Sequence, residues 1–215
     1  MKAIPTLCLA ALVAVAGSAV SGRQADDDGW IPLFDGQTLD GWRVGENAGT
    51  FTVEDGTIVV NGPRAHLFYV GPVERHDFKN FEFKAEVMTT PGSNSGIYFH
   101  TTYQEGGWPK EGFEVQVNNS HRDPKRTASL YNIQDNYEAP AKDDEWFTQH
   151  IIVQGKRVMV KVNGKTITDY TEPEAVEATS DDPPRVLSSG GTFALQGHDP
   201  KSKVAYKNIM VKPLP

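Results

Sequence analysis

From Gly29 to the C-terminus the chain is written in short runs of alternating apolar and polar residues, each bounded by Gly, Pro, Asn or Asp. Alternation with period two sends successive side chains to opposite faces of an extended strand. The runs predict strands over 66–70, 80–90, 95–101, 112–119, 147–154, 191–197 and 204–214. Segments 50–60 and 157–170 carry Asp55-Gly56 and Asn163-Gly164 at their centres and predict hairpins, because tight turns with positive φ favour such pairs. No segment shows the period of a long helix. The whole reads as an all-β sandwich of two antiparallel sheets. The aperiodic stretches 102–111, 119–146 and 171–190 read as long loops, the usual carriers of a site on a rigid sandwich.

Three runs set polar groups opposite hydrophobes. In GFEVQVNN (112–119), Phe113, Val115 and Val117 point one way while Glu114, Gln116 and Asn118 point the other. Tyr98 and His100 alternate with Ile97 and Phe99, and Gln196 and His198 alternate with Phe193, Leu195 and Gly197. If these strands are neighbours, a carboxylate, two imidazoles and several amides converge. An acid beside imidazoles moves protons near neutral pH, and amides bind sugar hydroxyls without adding charge. Tyr98, Tyr103, Trp108, Tyr131, Tyr137 and Trp146 offer faces for stacking on sugar rings, which completes the composition of a carbohydrate site. Glu114, His198 and His100 are the candidate catalytic residues; Gln116, Asn118, Tyr98, Trp108, Tyr131 and Gln196 are the candidate substrate-binding residues. His66, His76, His121 and His150 read as surface or hydrogen-bonded histidines, and Trp30, Trp42 and Trp146 as core or wall residues.

A conventional glycosidase needs two carboxyl groups, about 5 to 5.5 Å apart for retention or about 6.5 to 9.5 Å for inversion. The Glu114 face of its strand carries no second acid, and nothing in the sequence selects among the loop acids Glu105, Glu111 and Asp123. That mechanism is disfavoured. No cofactor is predicted. A divalent metal stays open, with His100, Glu114 and His198 as a mixed nitrogen and oxygen set, although no HxH or HExxH spacing supports it.

Lys2 followed by an apolar stretch running into small residues predicts a secretory signal peptide over 1–22, cut between 19 and 25, with 23–29 as a linker and 30–215 as one domain. The product is expected to be secreted or periplasmic. Pro5 and Thr6 interrupt a run already short of the roughly 18 apolar residues of a membrane span, so no stable insertion is expected after cleavage. The single Cys, Cys8, lies in that leader, leaving a mature chain without disulfides or a thiol nucleophile. The net charge is −7, and the acidic surface this implies repels nucleic acid and anionic membranes. The expected partner is a small-molecule carbohydrate.

LFDGQTLDGW (33–42), NSGIYFH (94–100), GFEVQVNN (112–119), VNG (162–164) and FALQGHDPKSKVAYKNIMVKPL (193–214) together resemble the 3-keto-disaccharide hydrolase domain family. The resemblance implies a concanavalin A-like, laminarinase-like jelly-roll sandwich with long loops over a concave face. It also implies action on 3-keto-glycosides. A ketone at C3 acidifies the C2 hydrogen, so a base removes it and the C1 oxygen leaves by β-elimination, after which water adds. One acid suffices for that route. On this reading Glu114 or His198 is the base, the other or His100 supplies the proton, and Gln116, Gln196 and Tyr131 position the sugar. The alternatives are a noncatalytic carbohydrate-binding sandwich module and a laminarinase-type glycosidase acting on unoxidised glucans.

Overall fold

A computed structural model describes residues 28–175, 185–187 and 189–215. The expected signal peptide and most of the linker lie outside the described residues. Thirteen strands form among the described residues. They are β1 (Ile31–Pro32), β2 (Trp42–Val44), β3 (Phe51–Glu54), β4 (Thr57–Asn61), β5 (Ala65–Tyr69), β6 (Phe81–Thr89), β7 (Ser95–Thr101), β8 (Phe113–Val117), β9 (Phe147–Gln154), β10 (Arg157–Val162), β11 (Lys165–Thr171), β12 (Thr192–Gly197) and β13 (Lys203–Pro213). One sheet runs β11-β10-β9-β6-β13-β4-β3 with β1 on β13; the other runs β2-β5-β12-β7-β8, and every pairing is antiparallel.

Both hairpins form where the dipeptides predicted them. Asp55 and Gly56 have φ of 46° and 78°, Asn163 and Gly164 have φ of 48° and 81°, and the flanking pairs are Glu54 with Thr57 and Val162 with Lys165. Positive φ at both central residues matches the turn to the right-handed twist of the strands. β1 and β2 went unpredicted because two or three residues cannot display a period.

Aromatic side chains join the two sheets. Phe193 of β12 meets Phe83 and Phe81 of β6 at centroid distances of 4.7 and 4.9 Å, and Phe99 of β7 meets Phe81 at 5.8 Å. β6 and β9 alternate between buried residues and residues that keep some exposure, as strands with one wet face should. β5, β7, β8 and β12 are buried on both faces. On the side away from the core, Phe68, Tyr98 and Ala194 form a second apolar cluster flanked by Val70 and Tyr103. Residues 128–131 cover the free edge of β8 through Gln116 N–H to Ser129 O (3.0 Å), Ala128 N–H to Gln116 O (2.9 Å) and Tyr131 N–H to Glu114 O (2.9 Å).

Candidate active site

The order β12-β7-β8 makes neighbours of the three strands that carry the polar rows. Register then fixes who meets whom. Gln116 lies opposite Gly96 and Glu114 opposite Tyr98, while Tyr98 faces Ala194 and Gln196 faces His66 of β5. Gly96 is the step that lets the row close. A Cβ there would sit 2.4 Å from Glu114 Oε1, so the missing side chain is the space through which the carboxylate reaches across β7. Gln196 Nε2 donates to Oε1 at 2.8 Å, and the Tyr98 hydroxyl donates to Oε2 at 2.7 Å.

These groups floor a cavity of about 350 Å³. Glu114, Gln116, Gln196, Tyr98 and His198 line it from the sheet and its end; Trp108, Tyr131, Asp123, Asn132 and Arg185 line it from the loops, with Asn94 and Pro109. Glu114 is 7% exposed. Burial pushes its carboxyl up to about 7 against the opposing pull of the Tyr98 and Gln196 hydrogen bonds and the Arg185 charge, with Asp123 adding to the rise. Burial holds the Tyr98 hydroxyl well above the usual tyrosine range, with the Glu114 charge reinforcing it, so it remains a neutral donor.

His198 follows β12 and bonds through Nδ1 to Asp199 Oδ2 at 2.8 Å. Partial burial raises the Asp199 carboxyl, but the hydrogen bonds from His198, the Lys201 N–H and the Ser202 hydroxyl take it down to about 2. A carboxylate only accepts, so Nδ1 carries the proton and the lone pair is on Nε2. The Trp108 ring lies 5.5 Å from that imidazole and 5.7 Å from His66. The Trp108 loop is pinned by Gln104 Nε2 donating to Gly106 O and Trp108 O, and by Glu46 Oε1 accepting the Gly107 N–H at 2.9 Å.

A single main-chain amide orients another chain of groups. The Asp123 N–H donates to His121 Nδ1 at 3.1 Å, which makes Nδ1 an acceptor and places the proton on Nε2. The Asn94 contact to the same Nδ1 at 3.2 Å is therefore a donation from Nδ2, and Asn94 Oδ1 accepts from Gln116 Nε2 at 2.8 Å. Gln116 Oε1 is left as a buried acceptor with no protein donor among the described residues, as is Gln196 Oε1.

Seven of the nine residues singled out from the sequence meet here: Glu114, His198, Gln116, Gln196, Tyr98, Trp108 and Tyr131. His100 does not. Between Tyr98 and Thr101, β7 holds one more residue than the paired stretch of β12, and His100 takes φ of 54°. This bulge reverses the alternation. The His100 ring packs against Phe81, Phe99 and Phe113 at 5.8, 5.1 and 6.3 Å, and Nε2 donates to Lys79 O at 3.0 Å. The mixed set of His100, Glu114 and His198 left open for a metal is therefore not assembled. Asn118 lies off the cavity wall as well, since its carboxamide braces the 119–126 loop. Nδ2 donates to Asp123 O and Lys125 O, and Oδ1 accepts the His121 N–H at 2.8 Å.

His66 and His121 do not line the cavity but pack against residues that do. His66 is 2% exposed, sits 5.4 Å from Tyr98, and burial with the nearby Arg64 charge pushes it down to about 4, so it is neutral at working pH. His121 stacks edge-on against His198 at 5.4 Å. The alternation of His66 with Leu67 was the available signal; the pairing with Gln196 that gives it meaning is long-range. His121, His198 and Asp199 each offer an atom within 4.8 Å of the others, the spacing of a metal triad. His121 Nδ1 accepts two N–H groups and His198 Nδ1 donates to Asp199, which leaves His198 Nε2 outside these hydrogen bonds. Asp123 brings a second carboxylate into the Glu114 cavity, which the strand pattern did not disclose.

Residues 29–212 match the family of the 3-keto-alpha-glucoside-1,2-lyase-like domain. The chain belongs to that family. A relative from Bacteroides thetaiotaomicron called a 3-keto-disaccharide hydrolase is 31% identical over 173 residues, which are 67% of this chain and 59% of the relative. Among solved structures, a protein from Parabacteroides distasonis provisionally described as a glycosyl hydrolase superposes with a TM-score of 0.70 at 23% identity, over 87% of this chain and 95% of that one. A non-specific endo-β-1,3(4)-glucanase of family GH16 superposes with a TM-score of 0.54 at 13% identity, over 88% and 93%. These likenesses bear out the concanavalin A-like sandwich expected for the family.

Proposed function

We propose that the protein cleaves the glycosidic bond of 3-keto-glycosides by β-elimination across C1 and C2, followed by addition of water. The observation that supports this most is the Glu114 carboxyl, poised at about 7, in one cavity with an imidazole whose free lone pair is fixed by Asp199. His198 Nε2 takes the C2 proton, and the electron pair moves into the C2–C3 bond as the ketone becomes an enolate. The enolate then expels the C1 oxygen, forming the C1–C2 double bond, while protonated Glu114 gives its proton to the departing oxygen. Arg185 supplies positive charge on the cavity wall for the enolate, since groups aimed at developing charge lower the barrier. Gln116, Gln196 and Tyr131 hold the ring hydroxyls.

The presence of Asp123 in the same cavity favours one second reading, a two-carboxylate glycosidase acting on unoxidised glycans. Purified protein incubated with 3-keto-glucosides and their unoxidised parents separates the two. Release from the oxidised substrate alone, with an unsaturated sugar trapped before hydration, supports elimination. Release from the parents supports the glycosidase, and binding without release reduces the protein to a sugar-binding sandwich. Export through the 1–22 leader belongs to the same proposal. It is checked by the N-terminus of protein recovered from outside the cytoplasm, expected within residues 20–26.

A further inference from the structure

Trp108 is held at the cavity wall without a hydrophobic seat. The indole is 45% exposed, and its ring neighbours among the described residues are the His66 and His198 imidazoles at 5.7 and 5.5 Å and the Arg64 guanidinium at 5.4 Å. All three are polar, so burial of apolar surface contributes little to keeping the ring in place. Its position has to be fixed through the backbone that carries it. Within the loop, Gln104 Nε2 donates to Gly106 O and Trp108 O at 2.7 and 2.9 Å, and Gln104 Oε1 accepts the Lys110 N–H at 3.1 Å. These bonds shape the tip of the loop but do not orient it over the sheet.

Glu46, in the turn after β2, joins that tip to the sandwich. Its Oε1 accepts both the Gly107 N–H and Arg64 Nε at 2.9 Å, and a carboxylate oxygen has lone pairs for two such donors. Arg64, just ahead of β5, reaches from Glu46 to the face of the Trp108 ring. The turn that carries Glu46 is itself tied to the start of β5. Asn47 Nδ2 donates to Arg64 O at 2.7 Å, and the Gly45 N–H donates to His66 O at 3.1 Å. A Cβ at Gly45 would lie 2.5 Å from Gln104 O, so a glycine lets the turn abut the loop. The hydrogen bonds from Arg64 and Gly107 hold the Glu46 carboxyl below the usual range, which keeps it ionised and accepting.

We infer that Glu46 is a positioning residue, which through Gly107 and Arg64 holds Trp108 as the wall on which the sugar ring stacks. The inference rests on the proposed seating of a sugar in the Glu114 cavity. Glu46 does not line that cavity, and His198 keeps its own anchor in Asp199, so the base stays oriented when the clasp is opened. Loss of Glu46 therefore weakens ring binding equally in the ground state and the transition state. Such a loss raises KM and spares kcat.

The test combines Glu46→Ala and Glu46→Gln with Trp108→Ala and Trp108→Phe. Glu46→Ala is expected to raise KM for a 3-keto-glucoside about tenfold, the scale of one lost ring contact, with kcat within about threefold of wild type. Glu46→Gln keeps an oxygen for the Gly107 N–H and recovers most of that loss. In a Trp108→Ala background, Glu46→Ala adds no further rise, because the two residues act through one chain of contacts. In the ligand-free protein, the Trp108 emission, isolated by subtracting the spectrum of Trp108→Phe, shifts to the red in Glu46→Ala. An unmoved KM, an unmoved emission, a kcat loss as large as the KM rise, or the same rise with and without Trp108 overturns the positioning role. A wild-type protein that releases nothing from 3-keto-glucosides, yet whose Trp108 emission shifts in Glu46→Ala, overturns the elimination reading and leaves the Glu46 clasp standing.

Discussion

Oε1 of Glu114 stands 2.4 Å from where a Cβ on Gly96 would be. The acid of β8 thus occupies the side-chain space of its neighbour on β7, and from there accepts the Gln196 and Tyr98 hydrogen bonds. Gly96→Ala should drive the carboxylate out of this position. Turnover of a 3-keto-glucoside is expected to fall by about 10² or more, the scale of a lost proton-transfer group. Unfolding measurements should show a cost of about 1 to 3 kcal/mol, as for an overpacked interior. Retained turnover would mean that Glu114 need not lie over Gly96.

Glu114 also makes stability depend on pH. Its folded-state pKa is raised from 4.5 to about 7. Below pH 4.5 both states are protonated and there is no effect. Between 4.5 and 7 the folded state keeps a proton that the unfolded state releases, so this group's contribution to stability declines as pH rises and levels off above 7. Glu114→Gln removes the dependence. Relative to wild type, the variant should gain up to about 3 kcal/mol between pH 4 and pH 8 in denaturant titrations. A difference that stays flat across that range would contradict the buried, raised carboxyl.

Asp199→Asn replaces an obligate acceptor with a group that can also donate, so His198 no longer has its proton confined to Nδ1. The expected outcome is a kcat lower by about 10² or more with KM held within a few-fold, because substrate contacts are unchanged while the base is in the wrong tautomer. A purely structural role for Asp199 would raise KM and lower the melting temperature together.

At the β10–β11 turn, Asn163 has φ of 48° and its Oδ1 accepts the Thr148 N–H at 2.9 Å. Asn163→Ala loses that acceptor and places a less tolerant residue in the left-handed region. Stability should drop by about 1 to 3 kcal/mol, with kcat/KM untouched, since neither Asn163 nor Thr148 lines the cavity.

The same local chemistry explains what the sequence made legible. Asp55-Gly56 and Asn163-Gly164 act within four residues, and the alternation of 95–101 and 112–119 correctly put Tyr98, Glu114 and Gln116 on one face. His100 escaped because a one-residue bulge reverses parity, and nothing local to SGIYFHT announces it. Asn118 escaped for a similar reason: at the strand end its carboxamide is claimed by the loop it starts. Asp123 and Arg185 belong to the cavity only through loop closure, and His66 meets Tyr98 and Trp108 behind its wall only through long-range pairing. The strand pattern therefore disclosed one carboxylate where the cavity has two.

The single amide of Asp123 has a stereochemical consequence. By fixing His121, then Asn94, then Gln116 in turn, it leaves the Gln116 oxygen enclosed without a protein donor among the described residues, and Gln196 likewise has an enclosed, unpartnered oxygen. The direction in which every donor along this chain points is thus dictated by one peptide N–H in a loop.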